Sequence, residues 1–232
     1  MAAEPARAAA PQEQTPQAAP RLQHPALFFR EDWKFAPGLP NIRTPQEPEH
    51  AIVQADVANA NLEVRLYGDK ANLLTVTQPN NDNITYVMTL VCMADCAVAL
   101  RDKNNDVDLT GLATIRWRTR ISGFHQLHPM VKLADGTWLV GDHATSYSSD
   151  WVESEIQVAD VRWRPLNIDE VVVGRGEGWV EHPNLSKVEE IGFTDLMRGA
   201  GHGNAGGSRL DWIEVYGKPV PRTPSRTTTS SR

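Results

Sequence analysis

Three arginines alternate with apolar residues in the segment 108–123, which reads DLTGLATIRWRTRISG. Arg116, Arg118 and Arg120, here called the arginine row, would project from one face of a strand, because successive strand side chains point to opposite faces. Guanidinium groups bind carboxylates and sulfates through paired hydrogen bonds. The arginine row therefore predicts a ligand surface for an acidic sugar such as a uronate.

Further cations could extend this surface. Arg162 and Arg164 flank a tryptophan in a second pattern of the same kind, and Lys132 opens a predicted hairpin. If these segments were neighbours of the arginine row, one face would carry five guanidinium groups. The alternative is a solvated face whose arginines pair with Glu153 and Glu155 of an adjacent strand.

Tryptophan is the second residue type with binding potential, and the chain contains seven. An indole ring offers an apolar surface to a sugar and a polar N–H at its edge. Trp138 lies next to an Asp-Gly turn and Trp179 lies in the segment GRGEGW, so both are expected to be exposed and to contact ligand. Trp117 and Trp212 lie on alternating strands and are expected in the core.

Three histidines complete the predicted binding surface. His125 and His128 follow the arginine-rich strand, and His143 follows the next hairpin together with Asp142. We expect them to form a polar rim that binds sugar hydroxyl groups. A metal site would need three or four ligands in one small volume, and this spacing predicts none. No cofactor is predicted, and the sequence shows no calcium site while leaving a structural calcium ion open.

Two glutamates on one strand raise the alternative of catalysis. Glu153 and Glu155 would lie on one strand face, at the separation of roughly 5–10 Å that glycoside hydrolysis requires. A polysaccharide lyase would instead need a base such as His125 or Tyr147 beside an arginine such as Arg120. Exposed glutamates are more often part of a solvated surface, so the leading interpretation involves no chemistry.

Short alternating segments separated by turn residues predict the elements that would position these side chains. Helical periodicity is absent, which favours an all-β sandwich. Asp-Gly at 135–136 suits a two-residue type I′ hairpin, whereas 103–106 and the glycine-rich 199–207 are expected to form loops. The predicted strands lie at 27–35, 62–67, 73–77, 84–91, 96–101, 115–121, 130–133, 137–140, 151–158, 188–193 and 210–216.

Five motifs follow one another between residues 108 and 217. They are DLTG with its strand at 108–123, a hairpin at 132–140, a strand opening with Trp at 151–158, LSKV with IGF at 185–193, and LDWIEVYG at 210–217. Their order resembles that of galactose-binding-like jelly rolls, which include carbohydrate-binding modules and the complex I intermediate-associated type of domain. The resemblance implies a two-sheet antiparallel jelly roll that holds a carbohydrate on a sheet face or at its rim loops.

Carbohydrate binding without catalysis, with an acidic glycan as the fitting ligand, is therefore the leading functional hypothesis. A glycoside hydrolase or polysaccharide lyase on the same fold is the first alternative, and a protein-interaction or assembly domain is the second. The formal net charge of −6 disfavours nucleic acid as a partner. No apolar run is long enough to predict a membrane span.

Composition divides the chain into one domain and two tails. Residues 1–24 are rich in Ala, Pro and Gln, and residues 219–232 in Pro, Thr, Ser and Arg, so both are expected to be disordered. Residues 25–218 are expected to form a single β-sandwich domain. An Ala/Pro/Gln-rich start would suit a secreted or periplasmic chain whose signal peptide has been replaced. Cys92 and Cys96 either bridge a short hairpin or remain buried thiols, and the sequence leaves both open.

Overall fold

The computed structural model describes residues 23–38, 51–77, 83–88, 96–174, 176, 178–197 and 207–222. Within these residues the regular elements are strands and three single-turn 3-10 helices, Gln54–Asp56, Ala71–Leu73 and Val158–Asp160. The strands are β1 Leu27–Glu31, β2 Leu62–Tyr67, β3 Thr75–Thr77, β4 Tyr86–Met88, β5 Cys96–Asp102, β6 Asn105–Asp108, β7 Thr114–Ser122, β8 Leu127–Leu133, β9 Trp138–Gly141, β10 Val152–Gln157, β11 Trp163–Asn167, β12 Val172–Val173, β13 Val188–Asp195, β14 Gly207–Tyr216 and β15 Lys218–Pro221.

The strands form two antiparallel sheets. The first sheet has the order β10-β7-β14-β4-β3, with β1 also paired to β14. The second sheet has the order β12-β11-β9-β8-β13-β5-β2, with β6 joined to β13 and β15. Most strands that are paired in a sheet are not consecutive in the sequence, and such crossover connections are typical of a jelly roll. The prediction of an all-β, two-sheet jelly-roll sandwich is confirmed.

The main core lies between the two sheets and includes the apolar side of β7. Ile115, Trp117 and Ile121 are each at most 1% exposed, as their alternation predicts. Trp117 also donates its indole N–H to the Thr145 hydroxyl at 2.8 Å, which satisfies the polar atom of a fully buried ring. The arginine row consequently lies on the outer face of the first sheet.

The second sheet buries apolar residues on both of its faces. Val98 and Leu100 of β5 belong to the main core, whereas Ala97 and Ala99 point the other way into a second apolar cluster. A strand that is buried on both sides has a continuous apolar sequence rather than an alternating one. The run CAVAL at the start of β5 has this composition.

Trp138 belongs to the second cluster and is only 7% exposed. Its ring meets that of Tyr67 at a steep angle, with centroids 4.9 Å apart. Val171, which follows β11, packs into the same cluster. The expectation that Trp138 is an exposed ligand-binding residue is wrong, because its strand side is covered by the chain that returns across the sheet.

Strands β6 and β15 are among those that occur where no strand was predicted. β6 overlaps the expected loop at 103–106, and its residue Val107 pairs with Val188 of β13. β15 pairs with β6 and includes Pro219 and Pro221, which the composition placed in a disordered tail. Proline lacks an N–H and is tolerated in an edge strand. Strand β15 therefore continues past residue 218, the expected end of the domain.

The hairpin between β8 and β9 is wider than the predicted two-residue turn. Leu133 donates its backbone N–H to the carbonyl of Thr137 across the three residues 134–136. Gly136 has a φ of 90°, whereas Asp135 is not among the described residues with positive φ. A type I′ turn needs positive φ at both central positions, so the loop is of a different type.

Some expectations fall outside the described residues. These are the tails over 1–22 and 223–232, residues 198–206 of the glycine-rich loop, and Cys92. Cys96 is disulfide-bonded, so the free-thiol alternative is wrong for this residue. In the part of the chain that the structure describes, no helix has both the length and the apolar character needed to cross a membrane.

Candidate functional site

Arg116 of the arginine row is surrounded by carboxylates. Its nearest contact is Glu214 at 3.3 Å, and longer contacts reach Glu155 at 3.5 Å and Glu153 at 3.7 Å. Glu214 is 8% exposed and also pairs with Arg30 at 2.6 Å. These contacts confirm for Arg116 the alternative of an outer sheet face held together by cross-strand ion pairs.

Arg118 is paired in the same way. Its Nη1 donates to Asp211 Oδ2 at 2.8 Å, and its guanidinium carbon lies 5.5 Å from the ring centroid of Trp151. Burial raises the pKa of Asp211 above its ordinary value, although the hydrogen bond from Arg118 opposes that shift. Arg120 is exposed, and the described residues provide it with no ion-pair partner.

Trp212 lies under these arginines rather than in the main core, where it was expected. The guanidinium carbons of Arg30 and Arg116 lie 4.5 and 6.0 Å from its ring centroid. The ring is only 7% exposed as a result. The outer face of the first sheet is thus a packed layer of arginines, carboxylates and a tryptophan.

The cations of the second sheet do not join the arginine row. Arg162 and Arg164 belong to the chain at β11, on the opposite sheet. Lys132 of β8 also lies on the second sheet, 3.1 Å from Glu189 and 3.3 Å from Glu190. The expectation of one surface carrying all five guanidinium groups is therefore wrong.

His125 is buried rather than placed on a rim. It is 5% exposed, and its Nδ1 lies 2.7 Å from Asp195 Oδ2, an oxygen that also accepts a hydrogen bond from Ser208. The pairing of Leu127 with Asp195 brings the end of β13 to this histidine. The placement of His125 on an exposed rim is therefore wrong. No contact joins it to Arg120 among the described residues, and its role as a lyase base stays a prediction.

A pocket of about 170 Å³ lies at one end of the outer face of the second sheet. Strand β8 contributes His128, Asp142 directly follows β9, and β11 contributes Arg164. The chain that follows β12 closes the pocket with Trp179. The lining residues are His128, Val140, Gly141, Asp142, Arg164, Val173, Trp179 and Leu196. Apolar and polar groups therefore meet in one small volume.

An isolated bridge holds Trp179 in place. Val180 donates its N–H to the carbonyl of Trp163 at 2.8 Å. Because side chains alternate along extended chains, Trp179 lies on the same face as Arg162 and Arg164. Both guanidinium carbons lie 4.3 Å from its ring centroid. Trp179 remains 38% exposed, which confirms its predicted exposure.

Asp142 neutralises one of these arginines. Its Oδ2 accepts a hydrogen bond from Arg162 Nε at 2.8 Å, and its Oδ1 accepts one from His143 at 2.8 Å. Burial would raise the pKa of Asp142, but the hydrogen bonds from His143 and Arg162 outweigh it and lower that pKa to about 2. The carboxylate is therefore charged at neutral pH and engaged by its neighbours.

His128 lines the pocket, and one of its ring nitrogens bonds to the backbone. Its Nδ1 lies 2.9 Å from the carbonyl oxygen of Gly141, which can only accept, so Nδ1 carries the hydrogen. When the ring is neutral, Nε2 is then left as an acceptor for a ligand hydroxyl group. His128 and Trp179 are the predicted ligand-binding residues that line this pocket together.

The three predicted histidines do not converge on one rim. His125 is buried, His128 lines the pocket, and His143 lines a neighbouring open cavity of about 370 Å³. Within the described residues, no group of three or more His, Cys, Asp and Glu side chains could hold a metal ion.

Arg164 is the pocket residue whose role the sequence did not reveal. It has no ion-pair partner in the described part of the chain, and its Nε is buried without a hydrogen-bond partner. The pattern R-W-R at 162–164 was a usable signal for a cationic site. Linking it to Trp179 required the bridge between Trp163 and Val180, which no local pattern predicts.

The two candidate catalytic glutamates are both exposed beside Arg116. Their side chains are 59% exposed for Glu153 and 49% exposed for Glu155, and both face Arg116. Glu155 lines the cavity of about 370 Å³ together with His143 and Tyr147, whereas Glu153 does not. The catalytic roles of the two glutamates stay predictions.

Comparisons with solved structures return carbohydrate-binding modules at low similarity. The family 11 module of a cellulosomal cellulase of Clostridium thermocellum is 16% identical over 69% of this chain and 85% of its own, with a TM-score of 0.37. The same family in complex with a β-1,3-1,4-mixed-linked tetrasaccharide is 13% identical over 83% and 98%, with a TM-score of 0.40. A family 29 module is 11% identical over 68% and 78%, with a TM-score of 0.39. No protein-family model matches the sequence, and a search of curated proteins by sequence found no match.

Proposed function

We propose that this protein binds carbohydrate, without catalysis, in the pocket between β8, β9, β11 and Trp179. The observation that carries this proposal is the partly exposed indole of Trp179 in a pocket that also contains His128 and Arg164. A sugar residue has apolar C–H surfaces and a belt of hydroxyl groups. A site for it needs an aromatic or aliphatic wall and polar groups at the edge, and this pocket has both.

The size of the pocket sets the extent of the contact. About 170 Å³ is small beside the roughly 300–1,000 Å³ of pockets for drug-sized ligands. One sugar residue would enter, and the rest of an oligosaccharide would continue outside. Val140 and Val173 supply an aliphatic wall, while Nε2 of His128 would accept a hydrogen bond from a hydroxyl group.

Trp179 is held in place before ligand arrives. Two guanidinium groups at 4.3 Å from its ring centroid restrict the indole through cation–π contacts. A binding site that is ordered beforehand loses less entropy when the ligand binds. The sugar would contact the exposed part of the indole beside these arginines.

The test is binding by a Trp179→Ala variant. A glycan microarray of neutral and acidic oligosaccharides identifies a ligand, and calorimetry then measures its Kd. We expect Trp179→Ala to raise Kd at least about tenfold, the effect of losing roughly 1.4 kcal/mol of binding free energy. Trp151→Ala is the matched control, because Trp151 also lies near an arginine but on the first sheet.

Each other outcome has a defined meaning. An array without any hit contradicts the proposal, and a loss of binding in Trp151→Ala with none in Trp179→Ala would move the site to the first sheet. Release of reducing ends or unsaturated products from a bound polysaccharide would favour the glycosidase or lyase alternative. In that case Glu155, in the larger cavity with Tyr147, is the residue to replace first.

We also propose a secreted or periplasmic location. The disulfide bond of Cys96 supports it, since disulfides persist mainly in oxidising compartments. A secreted or periplasmic protein would also encounter polysaccharide ligands in these compartments. Fractionation of cells that produce the full chain, with detection by antibody, would test the location directly.

A further inference from the structure

We infer that the pocket selects an acidic sugar residue, whose carboxylate or sulfate group pairs with Arg164. This inference rests on the proposed function and deepens it by naming the class of ligand. The shared chemistry of the two ligand types is a small oxyanion on a sugar ring.

The position of Arg164 leaves its charge without compensation. The residue is half-buried on β11, and its guanidinium group lies against Trp179. No carboxylate of the described residues pairs with it, and its Nε is buried with no hydrogen-bond partner. Buried polar groups are nearly always hydrogen-bonded, so an exception beside a pocket indicates a group that a ligand completes.

The carboxylate that lines the pocket is already engaged. Asp142 accepts hydrogen bonds from the side chain and backbone of Arg162 and from His143. Those contacts lower its pKa to about 2, so the Asp142–Arg162 pair is neutral overall at pH 7. Arg164 therefore leaves the pocket with an excess positive charge.

An oxyanion answers this charge better than a hydroxyl group does. Hydrogen bonds between ionised groups are roughly twice as strong as those between neutral groups, and the guanidinium fork matches the geometry of a carboxylate. The neighbouring polar group has a different role, because Nε2 of His128 can accept a hydrogen bond when the ring is neutral. Arg164 would hold the acidic group and His128 a hydroxyl group of the same sugar.

The experiment compares matched oligosaccharides with wild type and with Arg164→Gln. The ligands are a uronic-acid oligosaccharide, the same chain with its carboxyl groups reduced to alcohols, and a sulfated chain of the same linkage. We expect wild type to bind an acidic form at least about tenfold more tightly than the reduced form. We expect Arg164→Gln to lose this preference, so that it binds the acidic and the reduced chains with equal affinity.

Two further variants give the experiment its controls. Arg118→Gln removes an arginine that also lies near a tryptophan but pairs with Asp211, so we expect it to keep the preference for acid. Arg164→Lys keeps the charge but not the fork, and we expect an intermediate preference. Thermal unfolding of every variant identifies any that fails to fold, and Arg164→Lys then serves in place of Arg164→Gln.

The outcomes separate this inference from the proposed function. Equal affinity of wild type for the acidic and reduced chains overturns the inference and leaves carbohydrate binding standing. If wild type binds none of these three ligands and no oligosaccharide on the glycan microarray, both the inference and the proposed function are overturned. A preference for only the uronate or only the sulfated chain supports the inference and identifies the acidic group. A preference that survives in Arg164→Gln overturns the role of Arg164.

Discussion

Two half-buried arginines on opposite sheets have similar surroundings and different partners. Arg118 lies 5.5 Å from the ring of Trp151 on the first sheet, and Arg164 lies 4.3 Å from that of Trp179 on the second. Arg118 donates to Asp211 at 2.8 Å, whereas Arg164 has no carboxylate partner among the described residues. The aromatic neighbour is common to both, so the carboxylate is what distinguishes a structural arginine from one available to a ligand.

The strand pairing explains the difference. On the first sheet, β14 lies between β7 and β1 and supplies the carboxylates that meet the arginines. The single carboxylate of Glu214 pairs with both Arg30 and Arg116. On the second sheet, β11 lies near the edge, beyond which only the two-residue β12 follows. Fewer cross-strand neighbours there leave Arg164 facing a pocket instead of a carboxylate.

The largest effect that this comparison predicts concerns Glu214. Removing one partner of a buried ion pair costs about 3–5 kcal/mol, but Arg30 and Arg116 are each 35% exposed and can be rehydrated. We therefore expect Glu214→Ala to lower the free energy of unfolding by about 2 kcal/mol, measured by urea denaturation. Glycan binding should be unchanged. A stable variant that has lost binding would show the first sheet to be the ligand face.

A smaller loss of stability is expected for Arg118→Ala. The substitution leaves Asp211 half-buried without its ion partner, and we expect a cost of about 1 kcal/mol. The Arg118→Ala, Asp211→Ala double-mutant cycle should give a coupling energy of similar size. Arg164→Ala is the comparison, since it removes no ion pair and should change the free energy of unfolding by less than about 0.5 kcal/mol. A larger loss of unfolding free energy in Arg164→Ala than in Arg118→Ala would contradict the distinction between a structural arginine and one available to a ligand.

The alternation of residues along β7 was sufficient to predict this strand and its buried face. It identified β7 and placed Ile115, Trp117 and Ile121 in the core, because burial on one face imposes a period of two. It did not predict whether the other face is also covered. Trp138 was expected to be exposed because it lies next to an Asp-Gly turn, although a second apolar cluster buries it.

The candidate site was less accessible from the sequence than the fold. Trp179 and His128 were recognised by residue type, but Arg116 and Arg118 were recognised by the same criterion and proved to be ion-paired. The partner of Arg118 lies 93 residues further along the chain. Contacts of that length depend on the register of strands, which residue type and spacing do not determine.

The smallest effect would come from making a paired arginine into an unpaired one. In Asp142→Asn, the amide oxygen can still accept the hydrogen bonds from the Arg162 backbone and His143, but the negative charge beside Arg162 Nε is lost. A second uncompensated cation would then lie beside Trp179. We expect the affinity for an acidic oligosaccharide to rise by about two- to fivefold, the effect of an exposed charge worth roughly 0.4–1 kcal/mol.

Asp211→Asn makes the corresponding change on the first sheet, where it frees Arg118. Calorimetric titration of both variants with the acidic and the carboxyl-reduced chain compares them directly. Only Asp142→Asn should gain affinity, and only for the acidic chain, with the gain disappearing at high salt because exposed charges are screened. A gain for the reduced chain as well would mean that Asp142 acts on the shape of the pocket. A gain in Asp211→Asn would mean that any freed arginine attracts the glycan, and that the pocket provides no selection of its own.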